Sequence, residues 1–411
     1  MKQLSTRLVA KPASRRQGLG FQAVFLAGST GLAQVVVAVL YIWAARTAGP
    51  EMFGLLVAAI SMGAAAAGFL DFGTNSYWAR ELATRRMEVG ELGQRMAAKL
   101  AVAGVLSILW VLAFLCLFPT KYLWVAAAVG FSTVLNQSSQ VGLRGIARGD
   151  LVSVSILCDR VVALAIFSAL SLFGVSVLHS LWLSLTAGSL AAAACGWILT
   201  PRAARPRLQL RKSTNPWASA RHYGLANVAV SSQSLDMPIL TAMAGPAAAG
   251  IYGAVSRWTQ PMSLLANAFS TAAAPHMARA GSGAEAWQQV KRSVWMLAVA
   301  IGICCGMVAA APFLVDVLMG DQFEQSIVVL QVLAIGMIPA IVNQPLFVFL
   351  QARGMDKPVS VMVGSTVLLQ LLSVAVLSSS MGAFGAVIAS ASAQVILLIG
   401  LSGITFMNRM K

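Results

Sequence analysis

Long runs of apolar residues alternate with short polar breaks along nearly the whole chain. The hydrocarbon core of a bilayer is about 30 Å thick, and a helix needs roughly 20 apolar residues to cross it. Each long run therefore predicts one membrane-spanning helix. The pattern predicts twelve spans, at residues 20–44, 53–76, 97–118, 122–141, 152–174, 177–200, 221–243, 247–275, 292–315, 325–351, 358–378 and 383–407.

The amino-acid composition agrees with this pattern. Hydrophobic residues make up 58% of the 411 residues, charged residues make up 10%, and the mean hydropathy is +0.78. Soluble domains average about 45–50% apolar and about 25% charged residues. The composition therefore excludes an ordinary soluble enzyme, and its hydrophobicity excludes a disordered chain. We expect an all-α polytopic membrane protein.

Basic residues are distributed unequally between the two sides of the predicted membrane. Of the 29 Lys and Arg residues, 25 fall in or beside segments on the side of the N-terminus, whereas Arg46 and Lys121 fall on the other side. Cytoplasmic segments carry such an excess, so we predict that the N- and C-termini are both cytoplasmic. The net charge of +16 then reflects orientation and suits contact with anionic membrane lipids. We expect no nucleic-acid partner.

The two halves of the chain resemble each other. Ala-Gly-Pro occurs at 48–50 and again at 244–246, and Gly54 is matched by Gly250, each at an offset of 196 residues. The proline ends one helix and the glycine permits a tight turn, so the motif itself needs no chemical role. Because the matches occur in order and at equivalent points, we interpret them as an internal repeat.

A polar, Pro- and Arg-rich stretch separates the halves. We predict an N-terminal six-helix lobe at 1–200, a cytoplasmic basic linker at 201–220 and a C-terminal six-helix lobe at 221–411. Six is an even number of spans, so both lobes have the same orientation. Such parallel repeats are related by an axis along the membrane normal and enclose a central cavity.

Two charged residues lie deep inside predicted spans of the second lobe. Asp236 and Arg257 each lie 10.5 residues from the centre of the loop between their spans, near position 246.5, which is about 16 Å along their helices. Charged side chains inside a membrane usually face a cavity or a partner. Arg257 either presents positive charge to an anionic substrate, with Asp236 as its counter-ion or a proton site, or forms a structural ion pair with Asp236.

Asp159 and Arg160 form a second charged group, in the fifth predicted span. Adjacent residues diverge on a helix, so we expect no simple pairing between these two. One or both face the cavity, or Arg160 extends towards the inner membrane surface.

Uncharged amides are matched between the lobes. Asn136 and Gln137 in the fourth span correspond to Asn343 and Gln344 in the tenth, at an offset of 207 residues. These side chains either line the cavity and bind sugar hydroxyls or form hydrogen bonds between helices.

No pattern in the sequence indicates catalysis. The three histidines are scattered without metal-ligand spacing, and the chain lacks a Gly-Lys-Ser/Thr phosphate loop. We therefore expect no enzyme activity, no cofactor and no metal site.

Several short motifs resemble those of bacterial polysaccharide flippases, the O-antigen and exopolysaccharide repeat-unit translocases. Their superfamily also holds multidrug and toxin extrusion proteins and the lipid II flippase. The motifs in this chain are Ala-Arg-Thr-Ala-Gly-Pro-Glu-Met-Phe-Gly-Leu at 45–55, Asp-Phe-Gly at 71–73, Arg-Glu-Leu-Ala at 80–83, and, in the second half, Asp236, Ala-Gly-Pro at 244–246 and Arg257.

The resemblance implies a twelve-helix, two-lobe transporter of the bacterial cytoplasmic (inner) membrane. It would carry a polyprenyl-diphosphate-linked oligosaccharide from the inner to the outer leaflet by alternating access, for lipopolysaccharide or exopolysaccharide biosynthesis. A diphosphate needs a cation in the cavity. With Lys99 and the other basic residues near span ends counted with the cytoplasmic loops, Arg257 and Arg160 are the two that fall within spans. The implied partners are the lipid-linked oligosaccharide and the polysaccharide polymerase and export machinery.

Other functions remain open at this point. The main alternative is a small-molecule or multidrug exporter of the same superfamily, although the first span lacks the acid that such exporters often carry. A membrane enzyme usually has a large external loop, whereas the predicted outer loops are short. A scaffold would not need charged residues within its spans.

Overall fold

The computed structural model of the protein describes residues 19–116, 122–207, 215–217, 220–259, 294–353 and 355–409. Within these ranges the chain is helical and contains no β-strand. The helices are α1 (Leu19–Asp71), α2 (Thr74–Ala83), α3 (Val89–Cys116), α4 (Val125–Ser139), α5 (Val141–Gly145), α6 (Gly149–Leu172), α7 (Val177–Leu199), α8 (Arg221–Ser232), α9 (Asp236–Ala244), α10 (Pro246–Ser256), α11 (Val294–Met319), α12 (Ser326–Ala352) and α13 (Asp356–Arg409).

Seven of the described helical stretches are long and apolar enough to cross a membrane. This confirms the prediction of an all-helical, multi-pass architecture. Two of the seven, within α1 and α13, run for 44 and 51 residues. At 1.5 Å per residue each is about twice as long as one crossing requires. α13 contains the predicted spans 358–378 and 383–407, and α1 contains 20–44 and most of 53–76.

Three of the other predicted spans do not match one long helix among the described residues. The span predicted at 122–141 consists of two consecutive helices, α4 and α5. The span predicted at 221–243 is divided into α8 and α9 by a 3₁₀ turn at Gln233–Leu235. The span predicted at 247–275 begins as α10 and a 3₁₀ turn at Arg257–Thr259, and its remainder lies outside the described residues. Apolar runs alone do not show such local breaks.

A glycine forms a sharp turn at each copy of the repeated motif. Gly49 within α1 has φ 74° and ψ 167°, and Gly245 before α10 has φ 87° and ψ 167°. Side-chain-bearing residues rarely adopt this conformation, whereas glycine does so readily. Pro50 and Pro246 then begin the next helix, a position that does not require their missing N–H groups. The repeated motif therefore forms the same turn twice.

The largest buried apolar cluster draws on both halves of the chain. It includes Phe53 of α1, Phe167 of α6, Leu240 of α9, Val255 of α10 and Val387 of α13. The part of α1 after Gly49 packs against α10, so it joins the first half to the second.

Apolar side chains also cover much of the outer surface of the bundle. Along α3, the side chains of Ile108, Leu109 and Leu112 are exposed, and so are Val161 of α6 and Ile198 of α7. Large exposed apolar surfaces are unusual for a soluble protein. Exposed apolar surface of this extent agrees with a multi-pass membrane protein.

Candidate functional site

The carboxylate of Asp236 lies where three helices of the second half meet. Its Oδ1 accepts a hydrogen bond of 2.7 Å from the backbone N–H of Met237, and its Oδ2 accepts one of 3.1 Å from the hydroxyl of Tyr252. The Tyr252 hydroxyl also lies 3.4 Å from Ser390 Oγ on α13, and Gln370 donates to the same Oγ at 3.3 Å. These side chains form one polar group within an apolar core.

Arg257 follows α10 directly and contacts the first half of the chain. Its guanidinium carbon lies 5.0 Å from the ring centroid of Tyr41, and its Nη2 lies 3.5 Å from the Tyr41 hydroxyl. Tyr41 is 1% exposed and packs edge-on against Phe53, so its ring has little freedom. A half-buried cation is thus fixed at the junction of the two halves.

A chain of hydrogen bonds runs along one face of α4 and α5 in the first half. Arg144 Nη2 donates to Gln140 Oε1 at 2.8 Å, Gln140 Nε2 donates to Asn136 Oδ1 at 3.1 Å, and Asn136 Nδ2 donates to Asp159 Oδ2 at 3.0 Å. Asn136, Gln140 and Arg144 are spaced four residues apart, which places them on one helical face. This polar ladder extends from the end of α5 to the interior of α6.

Asp159 and Arg160 form an ion pair, so the expectation that these neighbours do not pair is wrong. Arg160 Nη2 lies 3.4 Å from Asp159 Oδ2. The arginine side chain is long enough to turn back along its own helix, although the two Cβ atoms diverge. Asp159 is buried against Gly188 of α7, where an added methyl would lie 2.7 Å from Asp159 Oδ1. The missing side chain at Gly188 provides the space for this carboxylate.

The matched amides have different environments. Asn343 is buried and donates a 3.0 Å hydrogen bond to the backbone oxygen of Gln394 on α13. Of the two predicted roles, it therefore has that of a hydrogen bond between helices. Gln344 is half-buried, and Gln137 is exposed. Asn136 belongs to the polar ladder. The structure therefore places the four predicted amides in at least two separate groups.

Sequence reasoning missed a buried lysine. Lys99 lies in α3 and is 0% exposed, and its Nζ donates to Asp71 Oδ1 at 2.9 Å, Thr74 Oγ1 at 3.0 Å and Asn75 Oδ1 at 2.8 Å. The ammonium also lies 4.7 Å from the Trp78 ring centroid. Lys99 is therefore not a loop charge, and its position inside the predicted span 97–118, like that of Asp71 inside 53–76, is the sequence signal that identifies the pair.

Within the described ranges, no three His, Cys, Asp or Glu side chains come together as metal ligands would. The polar groups described above combine charged side chains, two pairs of which are ion pairs, with amides and hydroxyls. Such groups suit the binding of a charged and hydroxylated molecule.

Comparisons with known proteins give the following matches. A family model described as "Polysaccharide biosynthesis protein" matches residues 21–281. The structure of the lipid II flippase MurJ in an inward closed conformation is 11% identical, with a TM-score of 0.71, covering 92% of this chain and 86% of that chain. An inward-facing multidrug resistance MATE family transporter of the MOP superfamily is 13% identical, with a TM-score of 0.66, covering 95% and 99%. An outward-facing MATE transporter is 16% identical, with a TM-score of 0.61, covering 94% and 95%. These likenesses establish a shared fold. Comparison with curated proteins gives no significant match.

Proposed function

Because the chain belongs to the polysaccharide biosynthesis protein family, we propose that it translocates a polyprenyl-diphosphate-linked oligosaccharide from the inner to the outer leaflet. The observation that carries this proposal is the placement of Arg257. A cation fixed between the two halves of a membrane transporter suits a diphosphate that must pass between them. Charge-assisted hydrogen bonds to phosphate oxygens are among the strong interactions that a protein can offer.

The remaining polar groups fit the same substrate class. We assign sugar contacts to Asn136, Gln137 and Gln344, which carry both donors and acceptors for hydroxyl groups. We assign Asp236 as the counter-ion of Arg257 or as a proton site, and the Asp159–Arg160 pair provides a second charged group in the first half. The polyprenyl tail stays in the lipid.

The proposed topology follows from the distribution of basic residues. Both termini are cytoplasmic, and the twelve spans form two six-helix lobes, 1–200 and 221–411, joined by a cytoplasmic linker at 201–220. The turns at Gly49 and Gly245 then lie on the outer side of the bacterial cytoplasmic membrane. The substrate enters between the lobes from the inside and leaves on the outside by alternating access.

Deletion of the gene is expected to stop production of the surface polysaccharide. Lipid-linked repeat units should then accumulate on the cytoplasmic side, because their synthesis continues while their translocation is blocked. The measurement is extraction of lipid-linked oligosaccharide together with a protection assay in membrane vesicles. Unchanged surface polysaccharide in a strain that lacks the gene and its paralogues would contradict the proposal.

A small-molecule exporter is the second candidate function. The observation that favours it is the fold shared with multidrug MATE transporters. An exporter predicts that deletion sensitises cells to amphipathic cations and leaves lipid-linked oligosaccharide unchanged. The same deletion strain therefore distinguishes the two functions.

Tyr41 is expected to position Arg257 for substrate. Tyr41→Leu removes the ring face, and cation–π contacts contribute about 0.5–2 kcal/mol, so we expect transport to fall by roughly 2- to 30-fold. Tyr41→Phe retains the ring and loses only the long contact to the hydroxyl, so it should transport within about 2-fold of the parent. The measurement is the rate of translocation at several substrate concentrations. Equal loss in both variants would show that the ring face does not matter.

A further inference from the structure

The outer ends of the two repeated helices meet backbone to backbone. A methyl group added at Gly54 of α1 would overlap the carbonyl oxygen of Pro246, and one added at Gly250 of α10 would overlap the carbonyl oxygen of Pro50. In each case the obstacle is backbone, which cannot rotate out of the way as a side chain can. Two glycines therefore permit an approach that no other residue allows.

These contacts are reciprocal under the repeat. Gly54 and Pro50 correspond to Gly250 and Pro246 at the offset of 196, so exchange of the two halves converts one contact into the other. One turn further in, Val57 Cγ1 lies 2.9 Å from the point that a Cβ on Gly253 would occupy, and these residues also correspond at 196. Mutual contact of equivalent positions is the mark of a two-fold interface. The contacts therefore lie on the axis that relates the halves.

Much of this seam, defined as residues 50–57 of α1 and 246–253 of α10, is buried. Phe53, Leu56 and Ala249 are each 0% exposed. Nearby, Arg46 Nη1 donates a 3.1 Å hydrogen bond to the carbonyl oxygen of Val317, two residues before α11 ends. A cation at a helix C-terminus is favoured by the helix dipole. Arg46, one of two basic residues predicted on the outer side, thus links the two halves beside the seam.

From this geometry we infer that the Gly54–Gly250 seam is the outer closure of the transporter and must separate when the cavity opens to the outside. The inference rests on the proposed orientation of the chain. Contacts on a two-fold axis are those that both halves lose together when they rock apart. Glycine at both positions lets the closed state form, and Arg46 adds to its stability.

The test measures how often the cavity opens to the outside rather than the rate of transport. In a variant without the five native cysteines, Ser256→Cys places a reporter six residues, about 9 Å, below Gly250 on the same helix. A membrane-impermeant maleimide is added from outside to intact cells. The minor conformation of a two-state protein is typically about 0.1–10% populated. We therefore expect Gly54→Ala to increase the labelling rate about 10-fold, because it prevents close contact in the closed state.

Gly63→Ala is the matched control. Gly63 also lies on α1, and its added methyl would approach the carbonyl oxygen of Ala126 at 2.6 Å, but that contact is within the first half. Gly63→Ala should leave labelling from outside unchanged, whereas Arg46→Gln, which adds no steric bulk, should raise it about 2- to 5-fold. Parent-like labelling in both Gly54→Ala and Arg46→Gln, or equal increases in Gly54→Ala and Gly63→Ala, would overturn the inference.

A second reporter separates this inference from the proposed function. Phe173→Cys lies in the turn between α6 and α7, where Phe173 is 85% exposed, and it should react from outside in every variant. Reaction only from the inside would overturn the orientation and with it the outer assignment of the seam. Normal reaction of Phe173→Cys, without increased labelling of Ser256→Cys in Gly54→Ala and Arg46→Gln, would overturn the seam and leave the flippase proposal intact.

Discussion

Replacement of Arg257 with alanine is expected to reduce translocation of lipid-linked oligosaccharide by about 10- to 100-fold. A hydrogen bond to a charged group contributes about 1.5–3 kcal/mol, and each 1.4 kcal/mol corresponds to about a tenfold change in binding. The variant should accumulate lipid-linked repeat units in the inner leaflet. The measurement is the initial rate of oligosaccharide appearance on the outer surface, normalised to the amount of protein in the membrane.

Arg257→Lys tests how the cation acts. Lysine retains the charge but loses the planar guanidinium that lies over Tyr41 and that can hold two phosphate oxygens at once. We expect a rate between those of the parent and Arg257→Ala. Arg353→Ala, which removes an exposed arginine after α12, is the matched control and should transport normally. Parent-like transport by Arg257→Ala would place the diphosphate elsewhere in the cavity.

The fold was predictable to the extent that it depends on long apolar runs. A run of about 20 apolar residues has no stable alternative to a helix in lipid, because its backbone groups must bond to one another. The positions of the breaks were less predictable. The turn at Gly49 was visible because Gly-Pro is a strong local feature, whereas the 3₁₀ turn at Gln233–Leu235 has no comparable marker.

The candidate site was predictable only as a set of unusual residues. Charges in apolar runs identified Asp236 and Arg257, but their partners Tyr252 and Tyr41 are ordinary aromatic residues whose role depends on tertiary packing. The Arg160–Asp159 contact depends on the reach of a flexible side chain, which helix periodicity does not describe.

The contact between Gly54 and Gly250 could be predicted only in part from the sequence. The sequence shows that the two glycines are equivalent, yet a repeat does not state that its equivalent positions touch. The structure shows that they touch, because α1 and α10 approach each other closely at these two glycines. It turns a sequence similarity into a physical contact, and it relates the internal repeat to the way in which the two halves close.

Lys99→Met is expected to destabilise the protein strongly. Methionine is close to lysine in length and fits an apolar site, so the main change is the loss of the ammonium that bonds Asp71, Thr74 and Asn75. Asp71 then becomes a buried charge without its counter-ion, and breaking a buried pair in this way costs about 3–5 kcal/mol. We expect a lower midpoint of thermal unfolding in detergent and a smaller amount of folded protein in the membrane.

The double variant Asp71→Asn with Lys99→Met distinguishes the effect of leaving Asp71 as an isolated charge from the loss of the hydrogen bonds that Lys99 donates to Thr74 and Asn75. It leaves no isolated charge, so it should recover much of the stability that Lys99→Met loses, because neutral replacement of both partners removes the desolvation penalty of the remaining ion. Lys357→Met, at an exposed position near the start of α13, controls for the general effect of the substitution and should unfold like the parent. If the double variant is as unstable as Lys99→Met, the buried charge of Asp71 is not the cause, and the hydrogen bonds to Thr74 and Asn75 must carry the loss.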